Sequence, residues 1–573
     1  MENNWREEEK RYKRNGTLIR IKLLEFIPYM IMTNLSILLI TSVDGIVVGN
    51  LVSDDALSAI SIFYPIVFAI GIFSVLISAG ISTSLSIAMG KNNLEEIQAI
   101  KKASLIITLG MVLLVALTEY PIIAFLIRTY NLSPAMNALI WEYAEGLMIA
   151  LVLGVISSVG TLEFQIMGKM RILMILTITE GVVNLVLDLF TVKILGMGIA
   201  GAGYSTACAN LVRCSLTVLY LWKKTDIYKF SKEIKIQFKT IIQVLSKGVP
   251  ATAYYAVSIL RKFFMIHIIL HMFGEDGGMI QGVCTFCLSL ASVIMGGVHD
   301  SMRPLMGLFS GADDRRGLRM LMQQGRMLNG ILISLVTFSV LLFPGLFFLI
   351  HGVLDDIPLR EGIMALQLFS LSFPLTGINM LFVLFFTNMN HSRFATMLTL
   401  LGNTTLPLFA FILSLTGFSP AIWLAYLFSN IFIFFIADHK YKKLLDDSEE
   451  KSKMYLSLVP KNAMEASEKT RQILLQNNLP EKTCNRIALC IEEMVYYAKS
   501  RGKNKKIHTQ IYIHAAPEGS ATFLMLDDGE CLALNNDDEH KKRTFDNYEM
   551  LRKVAKSFEY QYLLNMNYTV IKF

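Results

Sequence analysis

From Lys22 to about residue 441 the chain repeats one pattern, a long apolar run followed by a short polar loop. Runs of roughly twenty apolar residues form helices able to cross a hydrocarbon core about 30 Å thick. About twelve such spans are predicted, near residues 22–50, 57–89, 103–128, 137–166, 171–195, 198–222, 240–272, 279–310, 318–351, 361–388, 393–416 and 419–441. Several are long enough to require tilt or extension beyond the lipid. After Lys443 the pattern stops. DDSEEKSKM (Asp446–Met454) is a polar linker. Beyond it the periodicity predicts helices over Ala463–Asn477 and Glu481–Ser500 and strands over Lys506–Ala515 and Ala521–Asp527. A helix over Tyr548–Phe558 and a last strand over Tyr568–Phe573 complete an α+β domain.

Pro28, Arg171 and Tyr204 recur as Pro250, Arg393 and Tyr426, each 222 residues later and in matching places of two long apolar blocks. The chain therefore reads as an all-α membrane protein of two six-helix repeats with a small polar domain appended. Such duplications are the usual build of secondary transporters, with the substrate path between the halves. The expected divisions are an N-terminal segment (1–21), a first lobe (22–222), an inter-lobe linker (223–239), a second lobe (240–443), a linker (444–461) and the α+β domain (462–573). Because six spans preserve direction, the repeats are expected to be parallel.

Charge orients the bundle. Lys91, Lys101, Lys102, Lys169, Arg171, Lys223, Lys224, Lys229, Lys232, Lys235, Lys239, Arg315, Arg316, Arg319, His391, Arg393, Lys440, Lys442 and Lys443 fall in alternate loops. The loops between carry Asp54, Asp55, Glu275, Asp276, Asp355 and Asp356. By the positive-inside rule both termini are expected in the cytoplasm, with the bundle in the cell membrane. The chain is 53% hydrophobic and 17% charged, against about a quarter charged in soluble proteins. Its net charge of +7 is concentrated in these loops and is not a nucleic-acid footprint. Cys284 and Cys287 lie in an apolar run with no second pair or histidine at zinc spacing, and read as small buried residues. The charged stretch Trp5–Arg14 precedes a first apolar run too long for a cleavable leader.

Ionisable residues inside spans are costly and point to function. Asp44, late in span one, and Asp188, late in span five, fall at similar depths. Asn184 is four residues before Asp188, so the two share a helix face. Thr206, early in span six, lies at the same level. Two neighbouring carboxylates in a low dielectric cannot both ionise cheaply. Such a cluster suits a proton, or a sodium ion held by hard oxygen ligands; helix-to-helix hydrogen bonding is the plain alternative. The second repeat offers Arg261, Lys262 and His267 in its first span, and His299, Asp300 and Arg303 in its second. Pairing of Asp300 with Arg303 one turn away, or a basic wall on a substrate chamber, both fit. Glu163 and Glu180 are expected to pair with Lys169 or Arg171.

Four stretches resemble the multidrug and toxic compound extrusion (MATE) family. SVDGIVVGNLVSDDALSAISIFYPI (Ser42–Ile66) is similar to the family's span-one region, with Asp44 at its acidic position. GISTSLSIAMGKNNLEEIQAI (Gly80–Ile100) is similar to the end of its second span, with MRPLMGLFSGADDRRGLRML (Met302–Leu321) as the counterpart in the other repeat. NLVLDLFTVKILGMGIAGAGYSTA (Asn184–Ala207) resembles its fifth-to-sixth span segment. The resemblance implies a V-shaped pair of lobes that exports small organic molecules by rocking, driven by proton or sodium entry. It places the cation site at Asp44, Asn184, Asp188 and Thr206. Some members carry acidic residues on spans seven and ten, where this chain has Arg261, Lys262, Asn379 and Asn388; that speaks against a second cation site there and against a typical cationic substrate.

The tail resembles the histidine-kinase and anti-sigma-factor ATPase fold in degenerate form. IALCIEEMVYYA (Ile487–Ala498) puts Glu493 at the acidic position, but Tyr497 replaces the metal-binding asparagine. DDGECL (Asp527–Leu532) keeps Asp527 and Gly529, with Cys531 in place of the second glycine. The chain is therefore expected to be a carrier and not an enzyme. It needs no cofactor beyond H+ or Na+; its partners are membrane lipid, a small organic substrate and a cytoplasmic protein that docks on the tail, with no role for nucleic acid. Two other readings are a flippase or exporter of lipid-linked or anionic substrates, and a membrane sensor with an ATP-dependent tail.

Overall fold

The structure is a computed structural model that describes residues 17–91, 93–130, 132–224, 237–350, 356–416, 419–445, 454–458, 463–476, 479–500, 507–515, 520–530 and 551–573 except 552 and 554. The charged stretch Trp5–Arg14 and most of the linker Asp446–Met454 lie outside these residues. The chain divides into two compact units. One is the bundle, Glu25–Asp313 with Gly325–Tyr441; the other gathers Met1–Leu24, Asp314–Gln324 and Lys442–Phe573.

The first half supplies α1 (Thr17–Leu51), α2 (Asp54–Gly90), α3 (Leu94–Tyr130), α4 (Pro134–Ile166), α5 (Met170–Asp188) and α6 (Gly198–Lys224). The second supplies α7 (Phe238–Gly274) and α8 (Gly277–Gly311), parted at Gly274, whose φ of 62° no helix accommodates. Then come α9 (Arg315–Leu342), α10 (Pro344–Ile350), α11 (Asp356–Ser370), α12 (Phe373–Asn388), α13 (Ser392–Ser414) and α14 (Ala425–Leu445). Span ten is the pair α11–α12. Eleven helices among the described residues are long and apolar enough to cross a membrane. The difference from about twelve spans lies at α6. It is a full-length helix in the sixth place, but Asn210 and Arg213, with the glycines and hydroxyls of its first turns, lower its hydropathy.

Each half has its own apolar core. One is built on Phe63, Ile77, Val115, Ile140 and Val155, the other on Ile280, Phe348, Phe369, Leu406 and Trp423. Helix α2 packs along α7 and α8, joining the halves. The contact is backbone on backbone: a Cβ on Gly90 would lie 2.2 Å from the Leu308 carbonyl oxygen, and one on Gly311 would lie 2.1 Å from that of Ile87. No side chain fits at that separation without moving a helix.

The polar domain has a five-stranded antiparallel sheet in the order β1-β2-β3-β5-β4: β1 (Met454–Leu458), β2 (Thr509–Ala515), β3 (Ala521–Asp527), β4 (Ser557–Leu563) and β5 (Met566–Lys572). Alternate residues Ile511, Ile513, Phe523, Met525 and Ile571 point to one face, where α15 (Ala463–Gln476) and α16 (Glu481–Ser500) complete a core with Cys490, Ile491 and Met494. Burial raises the Cys490 thiol to about 12, so it is inert as a nucleophile. Two strands depart from expectation. β1 forms within the segment read as linker. β4 takes Ser557 and Phe558 from the end of the expected helix Tyr548–Phe558, of which Leu551 and Lys553 are helical and residues 548–550, 552 and 554 lie outside the described residues. A two-residue turn at Leu564 (φ 59°) and Asn565 (φ 56°) folds β4 onto β5, the left-handed geometry that hairpins favour.

Candidate ion and substrate sites

Asp44, Asn184, Asp188 and Thr206 meet in the first lobe. Asp44 is 7% exposed, and Asn184 and Asp188 are fully buried. The Thr206 hydroxyl donates to the Asp44 carboxylate at 3.1 Å and accepts from the Asn184 amide at 3.1 Å. Asp188 lies beside Asp44 within interaction range. Two close approaches create this meeting. Gly181 lets α5 lie against Ile40 of α1, which brings the Asn184–Asp188 face to Asp44. On the other side a Cβ on Gly146 would lie 2.4 Å from the Gly203 carbonyl carbon, so α4 and α6 touch backbone to backbone.

That second contact delivers a group the sequence did not single out. The Tyr143 hydroxyl donates to Asp44 at 2.8 Å, and its ring stands edge-on to Phe63 at 5.6 Å. A lone tyrosine in an apolar span has no spacing that marks it; only its depth, level with Asp44 and Thr206, could have. The helix also changes winding immediately after Asp188: Leu189–Ile194 is a π-helix, a form concentrated at functional sites. Thr191 within it donates to the Leu187 carbonyl at 2.9 Å and meets the Ser205 hydroxyl at 2.9 Å.

The donor balance of the cluster is uneven. Asp44 accepts from Tyr143 and Thr206. Both oxygens of Asp188 and the amide oxygen of Asn184 are buried without a hydrogen-bond donor among the described residues. Buried acceptors in this condition cost about 1–3 kcal/mol each, more when charged. A proton on the carboxylate pair or a small hard cation among these oxygens would satisfy them.

The second lobe differs. Arg261, Lys262 and His267 do not converge. Arg261 lies electrostatically beside Tyr426, whose hydroxyl accepts from Gln281 at 3.5 Å. Lys262 is exposed, and His267 stacks on its own neighbour Phe263 at 5.8 Å. Consecutive helical residues are about 100° apart, so Arg261 and Lys262 cannot share a face. Asn379 donates to the side-chain and backbone oxygens of Asn430, both at 3.0 Å, and Asn388 donates to Leu384 of its own helix at 2.9 Å. The expected pairing of Asp300 with Arg303 forms, at 3.1 Å. Glu180 pairs with Arg213 of α6, not with Lys169 or Arg171, because its helix face turns inward; Glu163 faces Lys101.

In the polar domain Asp527 is 1% exposed, and its carboxylate accepts from the Gly529 backbone amide at 3.0 Å and from the Asn567 side chain at 2.7 Å. Asn567 is its cross-strand partner and also donates to the Gly529 carbonyl at 3.1 Å; the Tyr560 hydroxyl holds its amide oxygen at 2.7 Å. Glu493 is partly buried on α16. The Tyr497 side chain and Cys531 lie outside the described residues.

Comparison with known proteins bears on the bundle. The MatE family model matches residues 30–190. The probable multidrug resistance protein YoeA of Bacillus subtilis (strain 168) is 24% identical over 305 residues, half of this chain and 65% of that protein. The match thus falls short of two thirds of the relative's length. The outward-facing structure of a multidrug resistance MATE family transporter of the MOP superfamily superposes with a TM-score of 0.70 at 19% identity, covering 74% of this chain and 96% of that one. A MOP superfamily transporter from Pyrococcus furiosus Vc1, described by a binding pocket of reverse polarity, matches with the same score, identity and coverage. Residues 30–190 thus match the MatE family model, and the bundle containing them has the fold of the MATE transporter structures, which are membrane carriers and not enzymes.

Proposed function

We propose that the protein exports small organic, drug-like molecules across the cell membrane by alternating access, in exchange for protons or sodium ions. The observation that carries this is the donor-poor cluster of Asp188, Asn184 and Asp44, buried in the first lobe. Electrostatics there favours an incoming positive charge. Its arrival neutralises the pair and removes the desolvation cost that holds one arrangement of the helices. Loss of the ion on the other side restores that cost, so the lobe alternates as the ion passes. Multidrug resistance is what the relative's name states, and with the fold it supports a drug-like substrate.

Efflux from proteoliposomes under an imposed gradient tests the reading. Asp44→Asn or Asp188→Asn should abolish gradient-driven efflux in protein that still purifies as a folded species. Efflux at the native rate in both variants would sink the assignment. Replacing sodium by choline in the same vesicles separates the two driving ions.

A second reading, export of anionic or lipid-linked substrates, is favoured by α7, which carries Lys239, Lys247, Arg261 and Lys262 and no acidic residue. The polar domain is read as a docking module for a cytoplasmic protein, because Tyr497 and Cys531 stand where a nucleotide site would carry its asparagine and second glycine.

A further inference from the structure

Asp300 is gripped from three directions. His299 Nδ1 lies 3.0 Å from its Oδ1, Arg303 Nη2 donates to the same oxygen at 3.1 Å, and Asn34 of α1 donates to Oδ2 at 3.5 Å. The Asn34 contact joins the first lobe to the second. It lies where α1 and α8 are so close that a Cβ on Gly297 would fall 2.4 Å from Ile31. Tyr255 of α7, exposed, is an electrostatic neighbour of both Asp300 and Arg303.

The carboxylate is therefore satisfied and the guanidinium is not. Arg303 uses only Nη2, which also lies 3.5 Å from His299 Nδ1. Its Nε and Nη1 have no hydrogen-bond partner among the described residues, although the side chain is only 17% exposed. A guanidinium has five N–H donors in a planar fork, and with Nη2 turned to Asp300 the Nη1 amino group is left to donate a charge-assisted hydrogen bond to a carboxylate or phosphate oxygen. The surrounding charge has the same sign. Along α7 and α8, Asp300 is the single acidic residue among the described side chains, against Lys239, Lys247, Arg261, Lys262 and Arg303.

We infer that the free Nη1 amino group of Arg303 is an oxyanion subsite, at which the second lobe takes the carboxylate of a small organic anion. Asp300 and His299 position the guanidinium from behind, and Asn34 ties the subsite to the helix that carries Asp44. The inference rests on the carrier reading above and supplies its substrate class. An incoming cation in the first lobe and a departing anion in the second then use different residues, so each can be removed separately.

The test is equilibrium binding of carboxyfluorescein, with ethidium as the cationic control, to full-length protein in phosphatidylcholine nanodiscs and without an ion gradient. Arg303→Gln should weaken carboxyfluorescein binding at least about tenfold, the equivalent of one charge-assisted hydrogen bond. Arg303→Lys should retain part of the affinity, and ethidium should bind the native and variant proteins alike. Asp188→Asn should bind carboxyfluorescein normally, which separates failure of the subsite from failure of ion-driven transport. If Arg303→Gln proves unstable, the double variant Asp300→Asn with Arg303→Gln removes both charges of the pair and gives the same reading. Displacement of the dye by phosphatidylglycerol would uphold the oxyanion subsite and assign its occupant to a lipid headgroup. Unchanged carboxyfluorescein affinity in Arg303→Gln would overturn the inference. So would a native protein that binds ethidium alone and loses it in Asp300→Asn, which would make Asp300 the anchor for cations.

Discussion

Asp188 and Asp300 are carboxylates inside the bundle, one per lobe, the first fully buried and the second half-buried, and their surroundings are opposite. Asp188 has no hydrogen-bond donor among the described residues, whereas Asp300 has a guanidinium, an imidazole and an amide. A satisfied carboxylate is a fixed charge within a network and gains little from a further cation. An unsatisfied one is held in a costly state that a cation relieves. On the proposed reading, the duplicated bundle places its ion chemistry in one half and leaves the other half basic. Composition would not reveal this, since both lobes contain acids and bases. What separates them is which acid has been given donors.

The sharpest way to break the contrast is to neutralise each carboxylate in turn. Asp188→Asn should reduce gradient-driven efflux to background, while Asp300→Asn should leave its ion dependence in place. Equal losses in the two would dissolve the distinction. A wedge comes next. Gly311→Val inserts a branched side chain into the backbone contact with Ile87 and Gly90. Overpacking of this kind costs about 1–3 kcal/mol, which should appear as a lower unfolding temperature and a loss of disulfide cross-linking between cysteines placed on α2 and α8. Thr206→Val removes the hydroxyl that links Asn184 to Asp44. Two hydrogen bonds of about 1 kcal/mol each are lost, so the ion concentration giving half-maximal efflux should move roughly thirtyfold, and Thr206→Ser should restore it. The smallest effect on transport is expected from Asn567→Ala. It leaves Asp527 short of a donor, which costs the polar domain about 1–3 kcal/mol in thermal unfolding and should leave efflux unchanged.

The spans were legible because lipid demands long apolar runs, and α6 shows the limit of that rule, since a helix with Arg213 paired to Glu180 need not be apolar throughout. The four residues of the first-lobe cluster were legible because depth along a helix can be counted from sequence. Tyr143 was not, because its selection depends on the Gly146–Gly203 approach, a contact between residues 57 apart in the chain. Arg261, Lys262 and His267 were grouped by proximity in sequence, and helical rotation dispersed them. In the polar domain, β4 was hidden because its turn has Leu564 in a left-handed conformation usually taken by asparagine, aspartate or glycine, so no turn signal marked the hairpin. β1 was hidden by its brevity beside a charged linker.

The winding after Asp188 carries one more implication. Arg171 to Tyr204 and Arg393 to Tyr426 span equal numbers of residues. The first interval contains the broad π turn Leu189–Ile194, and the second contains the tight 3-10 turn Ser419–Leu424. The two halves therefore agree in length but set their irregular turns at different places, the 3-10 turn aligning with residues 197–202 and not with the π turn. A chimera that exchanged these segments would join without a gap, yet it would rotate every side chain downstream of the graft, and Thr206 would no longer face its aspartate.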